Sequence, residues 1–435
     1  MFAESGKLSL SRQANQQKLI KNNLRIDRKF HFRPFKCNSL FLIALKCTNL
    51  NLMRKEDFID PSTGHLVPTI RDCWAFVPKP LPPVRLDLAP LLPLVEQSAR
   101  MLGELSGIGR NLQNPYLLIR PLMRNEAVAS SKIEGTVTTL SELFLFEAEA
   151  SNKTPVSDAR EVYNYVHALE YALKSLETFP ISVRLLNDIH KILLTNTASE
   201  RGGRIIPGEL KKDQNWIGSK LIETARFVPP PPQESIRAMG DLEKFIHDAH
   251  DTTPLLIKLA LVHYQFETIH PYPDGNGRLG RLLLALLLCE KKAITHPLLY
   301  ISPYFEKNYD EYIDLMLFVS QRGEWQQWIS FFLHGIIQSC DVSIQKIEKL
   351  QNLRLAYLNM VQLPRSPGLL SKLIDLLFER PVISAPYVVE RLHVKFNTAK
   401  KFILQLIKLK ILEEYKTDIR PKFYIARDIV TITGS

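Results

Sequence analysis

Twelve residues, His270-Pro-Tyr-Pro-Asp-Gly-Asn-Gly-Arg-Leu-Gly-Arg281, constrain this 435-residue chain more than any other stretch. Leu255–Ile269 before them and 279–290 after them are strongly apolar and long enough for helices. The chain must therefore join two apolar helices through a short polar loop. That loop gathers a base, a carboxylate, a glycine-rich turn and two arginines.

Each residue type there has a physical use. Gly275 and Gly277 reach positive φ and let backbone approach an anion closely. A helix beginning near Arg278 points free N–H groups and its positive dipole end into the loop. Asn276 can add a side-chain donor. Arg278 and Arg281, three apart, can reach phosphate oxygens as a fork. Asp274 is a hard oxygen ligand suited to magnesium. His270 titrates near neutrality and can take a hydroxyl proton. Together these are the parts of a phosphoryl- or nucleotidyl-transfer site. No GxxxxGK[ST] occurs, so the site is not a P-loop.

Charge says less about partners than its total suggests. The formal net charge is +11, but residues 1–55 hold twelve Lys/Arg and two Asp/Glu, so +10 of it sits there. Residues 1–52 read as a disordered basic extension, or as sequence upstream of a true start at Met53; N-terminal sequencing of the native protein decides between them. The five cysteines (Cys37, Cys47, Cys73, Cys289, Cys340) have no CxxC spacing, which argues for a reducing, cytoplasmic setting and against a zinc site or disulfide framework. The longest apolar run, 282–289, is far short of the roughly 20 residues that span a bilayer, so no membrane role is expected.

The remaining pattern is mostly helical. Residues 76–93 are proline-rich and read as an extended arm. Helical spacing then covers 94–150, 158–176 and Val183–Leu194, and later 309–318 and 325–337. In 200–235, Gly202, Gly203, Pro207 and Gly208 punctuate the chain. The runs 214–218 and 225–228 around a turn suggest a β-hairpin, with an irregular loop as the other reading. The last 70 residues form a separate unit: helices at 369–378, Ala385–Leu392 and 398–409, then two short strands at 411–415 and 422–426. That order suggests a winged helix-turn-helix. The expected domains are 53–180, 181–345 and 365–435.

The loop matches HPFx(D/E)GNGRxxR, the signature of the Fic family, at every fixed position except Tyr272, where phenylalanine is usual. The stretch resembles that family, and the resemblance reaches across about 75–345. It implies a mainly α fold: a Fic-type helical bundle with a β-hairpin flap, an N-terminal helical region and, in this class, a C-terminal winged helix-turn-helix. The implied activity is transfer of AMP from ATP to a Ser, Thr or Tyr hydroxyl of a target protein or of the enzyme itself, releasing pyrophosphate. By resemblance, His270 is the base. Asp274 holds Mg2+ or Mn2+ against the phosphates. Gly275, Asn276 and Gly277 form the anion hole, Arg278 supports the phosphates, and Arg281 binds the γ-phosphate. Leu279 and Gly280 complete the nucleotide-binding stretch, and Tyr272 anchors the loop in the core.

Upstream, Ser130-Ser-Lys-Ile-Glu134-Gly135 is similar to the family's inhibitory motif (S/T)xxxE(G/N). In that role Glu134 pairs with Arg281 and occupies the γ-phosphate position. The flap region at 214–228 is expected to dock an extended target segment by strand addition, with Trp216, Ile217 and Gly218 as contacts. Lys211 stands where arginine is expected, replacing a fork with a point charge. Tyr312 and Gln321 align with an adenine pocket, although core packing suits Tyr312 as well. Lys400, Lys401, Lys408, Lys410, Arg420 and Lys422 can meet DNA phosphate from 385–426, while protein docking or homodimerisation fits that unit as well. Two other outcomes stay open: a Fic enzyme that removes AMP or moves another phosphate-containing group, and a nucleotide-sensing DNA-binding regulator. Gly277 favours AMP transfer, because kinase-like members carry a bulkier basic residue there.

Overall fold

In the computed structural model, which describes residues 52–434 apart from 85, 113, 150–156, 198–204, 362–367 and 418–419, a small antiparallel sheet comes first. β1 (Gly64–Pro68) pairs with β2 (Trp74–Pro78), Gly64 opposite Pro78. β2 corrects the expectation of an unpaired arm from residue 76. Proline is tolerated because Pro78 is the last residue of a strand with one neighbour. The extension at 1–51 and the glycines at 202 and 203 lie outside the described residues.

Five helices follow: α1 (Leu92–Asn111), α2 (Tyr116–Ile133), α3 (Leu140–Ala148), α4 (Asp158–Ser175) and α5 (Val183–Leu194). Their starts are written locally. Ser157 and Ser182 accept from the N–H groups of Arg160 (3.3 Å) and Leu185 (3.2 Å). Thr139 and Glu142 form a reciprocal capping box at α3. The 214–228 segment is less regular than a hairpin. One bridge, Ile217 to Phe227, links its two arms, and a 3-10 turn at Ile222–Thr224 lies between.

The centre is built from α6 (Pro232–His247), α7 (Leu255–Ile269), α8 (Asn276–Glu290), α9 (Ser302–Lys307), α10 (Tyr309–Arg322) and α11 (Trp325–Val361). α7 and α8 are apolar on nearly all sides and almost completely buried, as such helices must be. α8 begins two residues before Arg278, so the whole Asn-Gly-Arg run lies in its first turn. α11 runs well past 337, since buried Ile344, Ile347, Leu350 and Tyr357 keep a helical stripe going. It packs along α1 and α7.

The C-terminal unit comprises α12 (Leu369–Glu379), β3 (Val382–Ser384), α13 (Ala385–Leu392), α14 (Phe396–Lys408), β4 (Glu413–Tyr415), β5 (Phe423–Ile425) and α15 (Arg427–Gly434). β5 lies between β3 and β4, both antiparallel to it. β3 and α15 were not evident from the pattern. β3 is only three residues long, and its side chains are all buried. α12 and α15 pack on α2, and β3 packs on α3. The described residues from 52 to 434 thereby form one compact unit whose apolar core runs continuously from Leu91 to Ile429. Among the described residues no helix is long and apolar enough to cross a membrane.

Candidate active site

α7 stops because His270 takes a left-handed backbone, φ 47° and ψ 59°, which is costly for a residue with a Cβ. Its surroundings hold it there. Asn215 Nδ2 donates to the carbonyls of His270 (3.0 Å) and Tyr272 (3.1 Å). The Tyr272 ring is fully buried, stacks on His190 at 4.0 Å, and its hydroxyl donates to Asn187 Oδ1 at 2.7 Å. His190 Nδ1 accepts from the Gly208 N–H (2.9 Å), which makes Nε2 the donor to the Asp274 carbonyl (3.0 Å). Asn276 closes the turn: its Oδ1 accepts from the Tyr272 N–H (2.9 Å) and its Nδ2 donates to the Tyr272 carbonyl (2.7 Å). One of its two amide N–H groups is therefore committed to the loop backbone rather than to an anion.

Gly275, at φ 78°, turns the chain into α8 and aims the first-turn N–H groups outward. Asp274 Oδ1 accepts from the Gly275 N–H at 2.6 Å. Arg278 is only 2% exposed and pairs with Glu161 (3.0 Å) and Asp274 (3.5 Å). It is turned inward towards α4 and does not line the cleft beside Arg281, so the expected arginine fork is not formed. The loop carboxylate and α4 compete for its guanidinium and keep it.

The end of α2 carries the opposing group. The Gly135 N–H donates to the Lys132 carbonyl (2.9 Å) and the Thr136 N–H to the Ser131 carbonyl (3.0 Å), with Gly135 at φ 86°. This is a Schellman closure, and it fixes Glu134 as the last half-helical residue. Glu134 Oε1 accepts from Arg281 at 2.7 Å. Arg281 also donates to Ser130 Oγ (2.9 Å) and to the Ser130 carbonyl (2.8 Å). Burial pushes the Glu134 carboxyl up, but the Arg281 guanidinium outweighs it and holds the group below the usual carboxylate range. A Cβ on Gly277 would sit 2.2 Å from Glu134 Oε1, so only glycine admits this approach.

These groups open on one cleft. His270, Gly277, Arg281 and Glu134 line one end; Ile217 and Phe227 from the flap and Tyr312, Met316 and Leu317 from α10 line the rest. Arg226 of the flap pairs with Asp314 of α10. His270 Nδ1 lies 3.2 Å from the Glu267 carbonyl, so Nδ1 carries the proton and Nε2 is left as the acceptor. Burial, then the charge of Lys211, pulls the imidazole down to about 4. Tyr312 is buried, with its hydroxyl 2.8 Å from His263 Nε2.

Several expected residues are elsewhere. Trp216 packs against the small cluster of Ala75, Ile222, Ala225 and Val228 and donates to the Ser219 carbonyl, because its ring is the flap's anchor. Gly218 is a φ 88° turn packed on Arg226. Gln321 is buried, and its carbonyl accepts from Ile59 and Asp60. Leu279 is core, and Gly280 faces Glu267 of α7. Sequence reasoning missed Asn215, His190, His263 and Glu267. Glu267 lines the cleft, its Oε1 is buried without a hydrogen-bond partner, and burial pushes its carboxyl up to about 8. Its place one helical turn before His270 is the signal that could have found it.

Family models agree with this geometry: "Fic/DOC family N-terminal" matches residues 92–174 and "Fic/DOC family" matches 180–288. Residues 92–174 and 180–288 thus carry the two domains of the Fic/DOC family. Similar curated proteins include the protein adenylyltransferases Fic of Drosophila melanogaster, 28% identical over 160 residues, and of Drosophila persimilis, 27% identical over 160 residues. These alignments take in 36% of this Fic chain and 30% and 29% of those proteins, so the chain spans about 30% of their length. A solved Fic family protein from Desulfovibrio desulfuricans shares the fold, with a TM-score of 0.51, 17% identity, and coverage of 80% of this chain and 98% of that one. Among the described residues no three metal-ligating side chains converge. Asp274 alone suits a cation that arrives with a nucleotide, since Mg2+ is held by one or two carboxylates together with phosphates.

Proposed function

We propose that this Fic protein transfers AMP from ATP to a protein hydroxyl and is held inactive by its own Glu134. The observation that carries the reading is the 2.7 Å pair between Glu134 and Arg281, beside a neutral His270 in the same cleft. His270 Nε2 takes the proton of a Ser, Thr or Tyr hydroxyl. The oxygen attacks the α-phosphorus, and pyrophosphate leaves as the P–O bond breaks. The first turn of α8 supplies N–H donors for the charge that builds on the phosphoryl oxygens. Mg2+ or Mn2+ on Asp274 would neutralise phosphate charge. Arg281 would take the γ-phosphate once Glu134 leaves, because a phosphate and a carboxylate compete for one guanidinium.

The flap at 214–228 is read as the docking edge for a target segment, or for a second copy in self-modification. Its single bridge leaves most of its backbone groups outside a ladder. Free thiols at Cys73, Cys289 and Cys340 suit a cytoplasmic setting. The C-terminal unit is read as a winged helix. Exposed Phe396 and Leu404 stand beside its lysines on α14, which suits a protein partner at least as well as DNA. Gel shift against salt tests the DNA alternative.

The deciding experiment incubates labelled ATP with wild type, Glu134→Gly and Glu134→Gly/His270→Ala. Labelling should rise in the single variant and vanish in the double. No label from ATP in any of them would defeat the reading. Loss of AMP from a pre-modified target with wild type, and not with the Glu134 variant, would turn it towards removal.

A further inference from the structure

We infer that Lys211 is a positioning residue that sets both the orientation and the basicity of His270, working through Asn215 and the backbone of the loop. The inference rests on reading His270 as the base. Lys211 is 3% exposed, and its ammonium donates to Asn215 Oδ1 (2.8 Å) and to the Ile269 carbonyl (3.2 Å). Its own N–H donates to the Pro271 carbonyl at 2.9 Å. Residues on both sides of His270 are thus tied to one side chain.

The ammonium also settles which way Asn215 faces. With Oδ1 turned to a cation, Nδ2 must be the atom that meets the His270 and Tyr272 carbonyls. Those two bonds hold the left-handed backbone from which the imidazole projects. A cation buried here is costly. Burial pulls Lys211 down to about 7, and no carboxylate offsets it. The Ile269 carbonyl at the end of α7, where a helix favours a cation, and Asn215 Oδ1 take its charge instead.

The second effect is electrostatic. Three charged groups act on His270: Lys211 opposes protonation, while Glu134 at the end of α2 and Asp274 in the loop favour it. His270 titrates about 4, where Lys211 is still charged, so removing that charge moves the imidazole back towards its ordinary value.

The test titrates the His270 C2–H resonance by NMR in the full chain, as wild type, Lys211→Arg, Lys211→Met and Lys211→Gln. The Met and Gln forms should raise the midpoint by about one pH unit, and the Arg form should leave it in place. An unmoved midpoint in both neutral forms overturns the inference; Gln keeps a hydrogen-bonding group should Met fail to fold. In a Glu134→Gly background, Lys211→Met should lower kcat for self-labelling about tenfold or more, change KM for ATP less than about twofold, and shift the acid limb upwards. A uniform loss with the acid limb unmoved also overturns it. If the Glu134→Gly parent takes no label, adenylyl transfer fails as a reading, while the NMR midpoint still decides whether Lys211 sets the imidazole.

Discussion

At the scale of single residues, the site is governed by how little room surrounds Arg281. Gly277→Ala places a methyl group against Glu134 Oε1 (2.2 Å) and Arg281 (2.8 Å). Its thermal penalty should be smaller in a Glu134→Gly background, a coupling that a double-mutant cycle in Tm measures. Asn276→Ala removes the partner of the buried Tyr272 N–H, while the Tyr272 carbonyl keeps its bond from Asn215, and should cost about 1–3 kcal/mol in denaturant unfolding. The pH behaviour of the clamp follows from sign. Glu134 has a depressed pKa when folded, so its contribution is complete above the ordinary carboxylate range and is lost only as pH falls through the folded value. Wild-type labelling should therefore stay low from pH 6 to 8, measured against Glu134→Gly at each pH.

At the scale of elements, legibility depended on whether a signal was local. α7 and α8 were plain because a helix buried all round must be apolar all round. The Glu134–Arg281 pair was reached through motif resemblance, since nothing local links residues 147 positions apart. Arg278 was misplaced because its partner Glu161 lies on α4, outside any window around the loop. β3 and the 64–78 sheet were missed because short strands show little alternation, and prolines masked β2. The Schellman end of α2 yields a test at this scale. A Cβ on Gly135 meets nothing within 4 Å, so Gly135→Ala acts only through its φ of 86°. It should cost about 1 kcal/mol, loosen the end of the helix, and raise self-labelling above wild type.

At the scale of the whole molecule, α2 connects two regions. Its first turns are held by the C-terminal unit and α3, through Arg120–Glu379 (3.1 Å) and Arg124–Glu147 (2.9 Å), and its last turn holds Arg281. Glu379 also pairs with Arg391 of α13. Arg120→Glu should therefore raise labelling, and adding Glu379→Arg should bring it back towards wild type. Buried imidazoles set the acid limit of the fold. His190 and His263 are held neutral by burial, down to about 4 and about 3. Unfolding lets them protonate, so stability should fall as pH drops below about 6.5, by at most about 1.4 kcal/mol per pH unit for each; Tm measured from pH 7 to 5 checks this.

Because Glu134 and Arg281 belong to one chain and meet through a capped helix end, their encounter is unimolecular. Dilution cannot separate them, and neither expression level nor protein concentration changes how often Arg281 is taken. Under the proposed function, ATP competes against a fixed local concentration, which for short tethers is of millimolar order or higher. Under the proposed inhibition, a change that moves the end of α2 therefore acts on the site more directly than a change in protein concentration.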